Sequence, residues 1–252
     1  MVSTGTLLLM GVIAALTAIV PLGVMAFLRG RGGRWRDFLV GAGTFFLFAL
    51  VLEQILHTLV FTSPLGPVLQ GNIWLYGLYG GLAAGVFEEA GRFAAFKLVL
   101  RERREPVSAL SYGIGHGGCE ALLLLGVTYV NNIVICLTAA SGGDLAPELA
   151  SAAESLAAIP AATFLMAGFE RVVAVALHMA LSVLVFAAVR RGRRGLFPLA
   201  ILLHALADFT AVVLSVKAGA AASEAGAAAF ALLACLLAAR VYGNLRQNPE
   251  NP

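Results

Sequence analysis

The sequence predicts an all-α, polytopic membrane protein: seven transmembrane helices forming a single domain over residues 1–252, with the N-terminus outside and the C-terminus cytoplasmic. Three observations predict it. The chain of 252 residues is 60% hydrophobic and 12% charged, with a mean hydropathy of +0.90, which is roughly half the charge of a soluble domain. Apolar runs of about 20 residues or more, long enough to cross a bilayer, follow one another with short connections. Lys and Arg crowd into alternate connections, which is the signature of cytoplasmic loops.

The first span is roughly 5–28; no basic region precedes it and it is too long for the core of a signal peptide, so it reads as a retained helix. It ends at Arg29, Arg31, Arg34 and Arg36. The second, roughly 38–61, stops at a turn from Ser63 to Pro67, and the third, roughly 73–100, closes on Arg101, Arg103 and Arg104 before Pro106. The fourth, roughly 107–138, leads into a polar, acidic loop at 141–155. The fifth, roughly 159–189, ends at Arg190, Arg191, Arg193 and Arg194; the sixth is roughly 196–216 and the seventh roughly 225–242, before a polar tail. The opposite set of connections carries only Lys217, so an odd number of spans keeps the alternation. This places the chain in the cell (plasma or inner) membrane as a multi-pass protein. The net charge of +3 reports topology rather than nucleic-acid binding. Cys119, Cys136 and Cys235 stand singly, with no CxxC pair and no disulfide framework.

Ionisable groups inside membrane spans are costly and mark function. In the third span Gly77, Gly81 and Gly85 form a small-residue row suited to close helix approach. Glu89 continues that row, Glu88 lies about 100° round the helix, and Arg92 can reach either. One Arg does not neutralise two carboxylates, so the second needs a metal, a histidine or a proton. The fourth span carries GIGHGGCEA, with His116 and Glu120 on one face among Gly113, Gly115, Gly117 and Gly118; those glycines imply close backbone approach or a local irregularity. The fifth carries Glu170, Arg171, His178 and Ser182, with the last two on one face; the sixth carries His204 and Asp208 four apart, a metal-ligand spacing on a helix. Taken singly, each pair also suits an internal hydrogen bond. For Glu53 and His57 the structural reading is the better one, since His57 falls near the outer end of the second span, where water is close.

Depth separates these readings. At about 1.5 Å per residue from the cytoplasmic ends, Glu88, Glu89, His116, His178, His204 and Asp208 fall roughly 14–20 Å in, in one layer near the midplane. Histidines and carboxylates in one layer suit a zinc-like divalent ion, which would lower the pKa of a bound water while a neighbouring Glu acted as general base on a peptide carbonyl. HExxH, GxSxG and YD…GxGD motifs are absent, against ordinary zincins, rhomboid-type and presenilin-type proteases.

EExxR at Glu88–Arg92, GxGHGGxEA at Gly113–Ala121, ER at Glu170–Arg171 with HxxxS at His178–Ser182, and HxxxD at His204–Asp208 together resemble the YhfC family of bacterial intramembrane metalloproteases. That family is grouped with the CAAX-protease and bacteriocin-processing enzymes and with PrsW. The resemblance covers Glu88 to about Asp208 and implies that Glu88, Glu89, His116, His178 and His204 correspond to the group's active site, with Asp208 where the group often has Asn or Asp. It implies Glu88 or Glu89 as base, Arg92 orienting them, His116, His178, His204 and Asp208 as ligands of a divalent metal such as zinc, and Glu120 and Ser182 in the same polar pocket. The spacing EExxR departs from the EExxxR of CAAX enzymes and leaves open which Glu is the base. RFAAFKLVL, ALHMALSVLVF and LLHALADF also resemble the anterior-pharynx-defective subunit of gamma-secretase, a seven-span scaffold that keeps two histidines matching His178 and His204. Two readings follow: a metal-dependent endopeptidase acting on a membrane-associated protein or peptide, or a scaffold binding a partner's transmembrane helix, for which the Gly77–Gly81–Gly85 row would serve. A solute carrier is disfavoured because no inverted repeat is seen.

Overall fold

A computed structural model describes residues 2–141 and 146–247. Among the described residues the regular elements are all helical. They are α1 (Thr4–Arg29), α2 (Trp35–Phe61), α3 (Leu65–Gln70), α4 (Ile73–Ala94, continued by Ala95–Val99), α5 (Val107–Ala140), α6 (Pro147–Ala158), α7 (Ala161–Arg190), α8 (Leu196–Lys217) and α9 (Ala220–Gln247). Six of these, α1, α2, α5, α7, α8 and α9, are long and apolar enough to cross a membrane. Helix α4 has comparable length, but Glu88, Glu89 and Arg92 lower its apolar character; all three are buried by the helices around it.

Two connections expected to be irregular hold short helices. Helix α3 occupies the turn after α2, and α6 occupies the second part of the expected polar loop. Pro147 stands in the first turn of α6, where its fixed φ suits a helix start, and Ala, Glu and Leu continue it. Residues 142–145 of that loop and 248–252 of the expected tail lie outside the described residues.

Helix α7 is the axis of the bundle. Its most apolar window is 61% buried, against 22–33% in the other long apolar helices. Its second half packs Leu181, Leu184 and Phe186 against Phe96, Tyr112 and Ala234, forming the main core. The other helices keep one lipid-facing side rich in Leu and Val, as a solvent of hydrocarbon allows.

The glycines decide which helices touch. A Cβ at Gly81 would run into the Ala205 carbonyl of α8, and one at Gly85 would lie 2.9 Å from the Ile201 carbonyl. The small-residue row of α4 is therefore filled by α8 of the same chain. In α5, Gly113 and Gly117 face α7 backbone at Met179 and Val175, Gly115 faces Phe38 of α2, and Gly118 faces Pro21 of α1. The close-approach reading holds here, since residues Val107–Glu120 are regular α-helix. Irregularity comes next to the glycine run instead: π turns occupy Phe48–Glu53, Ala95–Val99 and Ala121–Gly126. Such turns are rare and gather at functional sites. Each one here contains or closely follows an ionisable residue of the interior: Glu53, Arg92 and Glu120.

Basic residues at the helix ends also close the frame. The Arg190 guanidinium donates to the carbonyls of Phe96, Leu100 and Arg103 at 2.6, 2.5 and 2.7 Å, and Arg36 donates to Val99 at 3.0 Å. Phe96 and Val99 belong to the last turn of α4, whose carbonyls lack the next intrahelical donors, and Leu100 and Arg103 lie in the connection that follows. Buried Asp37 pairs with Arg103 at 3.1 Å. The end of α4 is thus tied to α2 and α7, which fixes how deep its glutamates sit.

Candidate metal centre

Helices α4, α5, α7 and α8 bring Glu88, Glu89, Arg92, His116, His178 and His204 into one buried cluster. The imidazole of His178 lies 4.8 Å from that of His116 and 5.2 Å from that of His204, centroid to centroid. Adjacent in sequence, Glu88 and Glu89 turn to different partners, Glu88 to His116 on α5 and Glu89 to His204 on α8.

Glu89 is the anchored carboxylate. Arg92 Nη1 donates to both its oxygens, at 2.6 and 2.7 Å, and His204 Nδ1 donates to Oε1 at 2.9 Å. With its proton on Nδ1, His204 directs the Nε2 lone pair toward Glu88 Oε1 at 4.0 Å and Asp208 Oδ2 at 3.6 Å. This carboxylate–imidazole arrangement fixes the tautomer that a metal-binding histidine needs. Arg92 also donates from Nη2 to His178 Nδ1 at 3.1 Å, which places the His178 proton on Nε2, 2.5 Å from Glu120 Oε2. Arg171 holds Glu120 at 2.5 Å and also pairs with Glu170. A continuous path of polar contacts therefore runs from Glu170 through Arg171, Glu120, His178, Arg92 and Glu89 to His204.

Glu88 stands apart from that path. His116 Nε2 donates to its Oε2 at 2.7 Å, and His178 Nδ1 lies 3.9 Å from the same oxygen. Among the described residues, Glu88, His178 and His204 form a buried group whose ligand atoms all lie within 4.8 Å of one another. Donors about 2.0–2.1 Å from a tetrahedral zinc-like ion sit roughly 3.3 Å apart, so closing the set requires these side chains to approach and His178 Nδ1 to exchange its Arg92 hydrogen bond for the ion. Two imidazoles and a carboxylate are also the right chemistry for such an ion.

The arrangement differs from the expected ligand list. His116 serves Glu88 as a hydrogen-bond donor, and Asp208 lies beyond hydrogen-bond length from His204, at the margin of the group. His116 and Glu120 share a helix face but contact different partners. The Ser182 hydroxyl donates to the His178 carbonyl at 2.7 Å, within its own helix, and so braces α7 rather than entering the cluster.

Sequence reasoning set Glu53 aside, and the structure buries it. Glu53 accepts from His57 Nε2 at 3.1 Å, while the Tyr79 hydroxyl pairs with His57 Nδ1 at 2.8 Å. Its carboxyl lies within electrostatic range of Glu88, His204 and Asp208. The available signal was its i,i+4 histidine in an otherwise apolar span. Counted together, Glu53, Glu88, Glu89, Glu120 and Asp208 face, among the described residues, histidines and two guanidinium groups, those of Arg92 and Arg171, one of which is shared with Glu170. In a low-dielectric interior such an excess of carboxylates calls for protons or a cation.

The family model described as YhfC intramembrane metalloprotease matches residues 16–227. The chain is 35% identical over 225 residues to "Uncharacterized membrane protein YhfC" of Bacillus subtilis (strain 168), covering 84% of this chain and 86% of that protein. No solved structure matches.

Proposed function

Because the chain belongs to the YhfC intramembrane metalloprotease family and is a multi-pass membrane protein, we propose that it is a seven-span, metal-dependent endopeptidase with its N-terminus outside, cleaving membrane-embedded protein or peptide segments. The supporting observation is the convergence of Glu88, His178 and His204 from three helices within ion-binding reach, buried beside an uncompensated group of carboxylates. These three residues would hold a zinc-like divalent ion. The chemistry such an ion supplies is polarisation of a carbonyl and activation of water.

The remaining residues have separate tasks in this reading. Glu89 orients His204, Arg92 holds Glu89, and Glu120 holds the Nε2 side of His178, whose Nδ1 would exchange Arg92 for the ion. His116 fixes the rotamer of Glu88, and Arg171 fixes Glu120 behind His178. Asp208 is the more open carboxylate of the cluster, with a side chain 40% exposed against 9% for Glu88. In this reading it, rather than Glu88 or Glu89, would take a proton from an attacking water as general base. Burial of the other groups keeps bulk water out.

A second reading has its own observation. The gaps of 3.9 and 4.0 Å from Glu88 to the two imidazoles also suit a water bridging them. Glu88 would then be the base, without a metal.

Metal analysis of purified protein decides between them. The expected result is one divalent ion per chain in the wild type, lost in Glu88→Gln and in the His178→Ala, His204→Ala double variant, with cleavage of a membrane substrate lost in parallel. Cleavage that persists in metal-free wild type refutes the metal reading and leaves the water-bridged one. Cleavage unchanged in the double variant refutes both.

A further inference from the structure

Toward the end of the bundle that carries α3, a cavity of about 350 Å³ opens between α2, α4 and α8. Pockets of roughly 300 Å³ and above are of ligand size. Its wall carries His57, Phe61, Tyr76, Tyr79, Glu170 and Asp208. Asp208 joins the cavity to the candidate centre, since its Oδ2 lies 3.6 Å from His204 Nε2. The space therefore ends on the donor group itself.

One lining residue has no packing explanation. A Cβ at Gly81 would strike Ala205, so that glycine is required for α4 to meet α8; a Cβ at Gly80, which also lines the cavity, would meet nothing within 4 Å. Glycine in a helix costs about 1 kcal/mol relative to alanine, and packing gives no return for it at this position. Because Gly80 lines the cavity, a bulkier side chain there would take up its space.

The wall's chemistry points to an occupant. It presents Asp208, a Glu170 that is already paired with Arg171, and three aromatic rings, and among the described residues no Lys or Arg side chain lines it. Aromatic faces and carboxylates together favour a cationic group stripped of water. We propose that this cavity receives a lysine or arginine side chain of a membrane-spanning peptide next to the bond presented to Glu88, His178 and His204, and that Gly80 is the specificity-determining residue that admits it. The word substrate here rests on the proteolytic reading; the binding preference does not.

The test uses the full chain in nanodiscs, in the Glu88→Gln background. The probes are single-span polyleucine peptides bearing one Lys, Glu or Leu in their outer third, with affinity read by fluorescence. The Lys peptide is expected to bind at least about tenfold more tightly than the other two, a difference of ~1.4 kcal/mol. Gly80→Leu should abolish that preference and Gly80→Ala should retain most of it. Gly43→Leu adds the same bulk at an exposed glycine of α2 with nothing within 4 Å, and should change nothing. If Gly80→Leu fails to give a monodisperse protein, Tyr76→Lys, which puts a cation in the wall, should remove the preference equally. Equal affinity for the three peptides, or a Lys preference that survives both substitutions, overturns the proposal. A Lys peptide bound with this preference but left uncut by metal-loaded wild type refutes the protease reading and leaves the cavity assignment standing.

Discussion

Glu88→Gln and Glu89→Gln change neighbouring residues by the same single atom, and the structure predicts opposite outcomes for stability. Glu89 is fully buried and accepts from Arg92 twice and from His204 once. A glutamine there has one oxygen; its amide N–H₂ must face either the guanidinium or the His204 Nδ1–H, donor against donor. Removing one partner of a buried ion pair costs about 3–5 kcal/mol. Loss of the group that orients a metal-binding histidine weakens the ion by a further 10–100-fold, about 1.4–2.7 kcal/mol. Glu88 has a single hydrogen-bond donor, His116 Nε2, which a glutamine carbonyl accepts equally well. With both proteins metal-free, Glu88→Gln should therefore melt within about 1 kcal/mol of wild type, and it should lose the ion altogether. Fluorescence-detected melting in detergent, run beside metal titration, separates the two. If Glu89→Gln melts like wild type and binds the ion with unchanged affinity, the assignment of Glu89 as the orienting carboxylate is wrong.

Three further outcomes are expected. Gly81→Ala should destabilise the bundle by about 1–3 kcal/mol, because the added methyl meets the Ala205 carbonyl, whereas Gly80→Ala should be neutral or slightly stabilising; melting temperatures compare them. Arg190→Ala removes the donor to the Phe96, Leu100 and Arg103 carbonyls and should cost about 1–3 kcal/mol, with faster hydrogen exchange confined to 95–106. Stripping the ion with a chelator should lower stability by about 2.7 kcal/mol if it was present at a hundredfold excess over its Kd, and Glu88→Gln should show no such chelator effect.

The helices and the polar layer were legible for a simple reason. Hydropathy and the placement of arginines report depth directly, and side chains at one depth on neighbouring helices have few places to go. Which glutamate does what was not legible. Glu88 and Glu89 differ by about 100° around one helix, and their partners, His116 on α5 and His204 on α8, depend on the angles at which those helices cross α4. Those angles are set by glycines whose neighbours no periodicity reveals: Gly85 meets Ile201 across more than a hundred residues of chain. The same limit hid Arg190. Its charge signalled a cytoplasmic loop, and the carbonyls it caps belong to a helix end made irregular by a π turn. Glu53 was set aside because its i,i+4 histidine reads the same at a wet helix end as in a buried wall.

The scaffold alternative leaned on the Gly77–Gly81–Gly85 row as a docking face, and that face is filled. Gly77 meets Phe209, Val212 and Val213, Gly81 meets Ala205, and Gly85 meets Ile201, all on α8. Opening the row to a partner helix would pull α8 away from α4 and break the Glu89–His204 hydrogen bond with it. A scaffold of this sequence would thus have to use another surface, and it would still have to keep five carboxyl groups beside two guanidinium groups in the bilayer interior. A purely structural role gains nothing from that excess, because apolar residues of similar volume pack as well or better than unbalanced charge. A divalent ion held by Glu88, His178 and His204 would account for that excess directly, with Asp208 joining the group to the cavity between α2, α4 and α8.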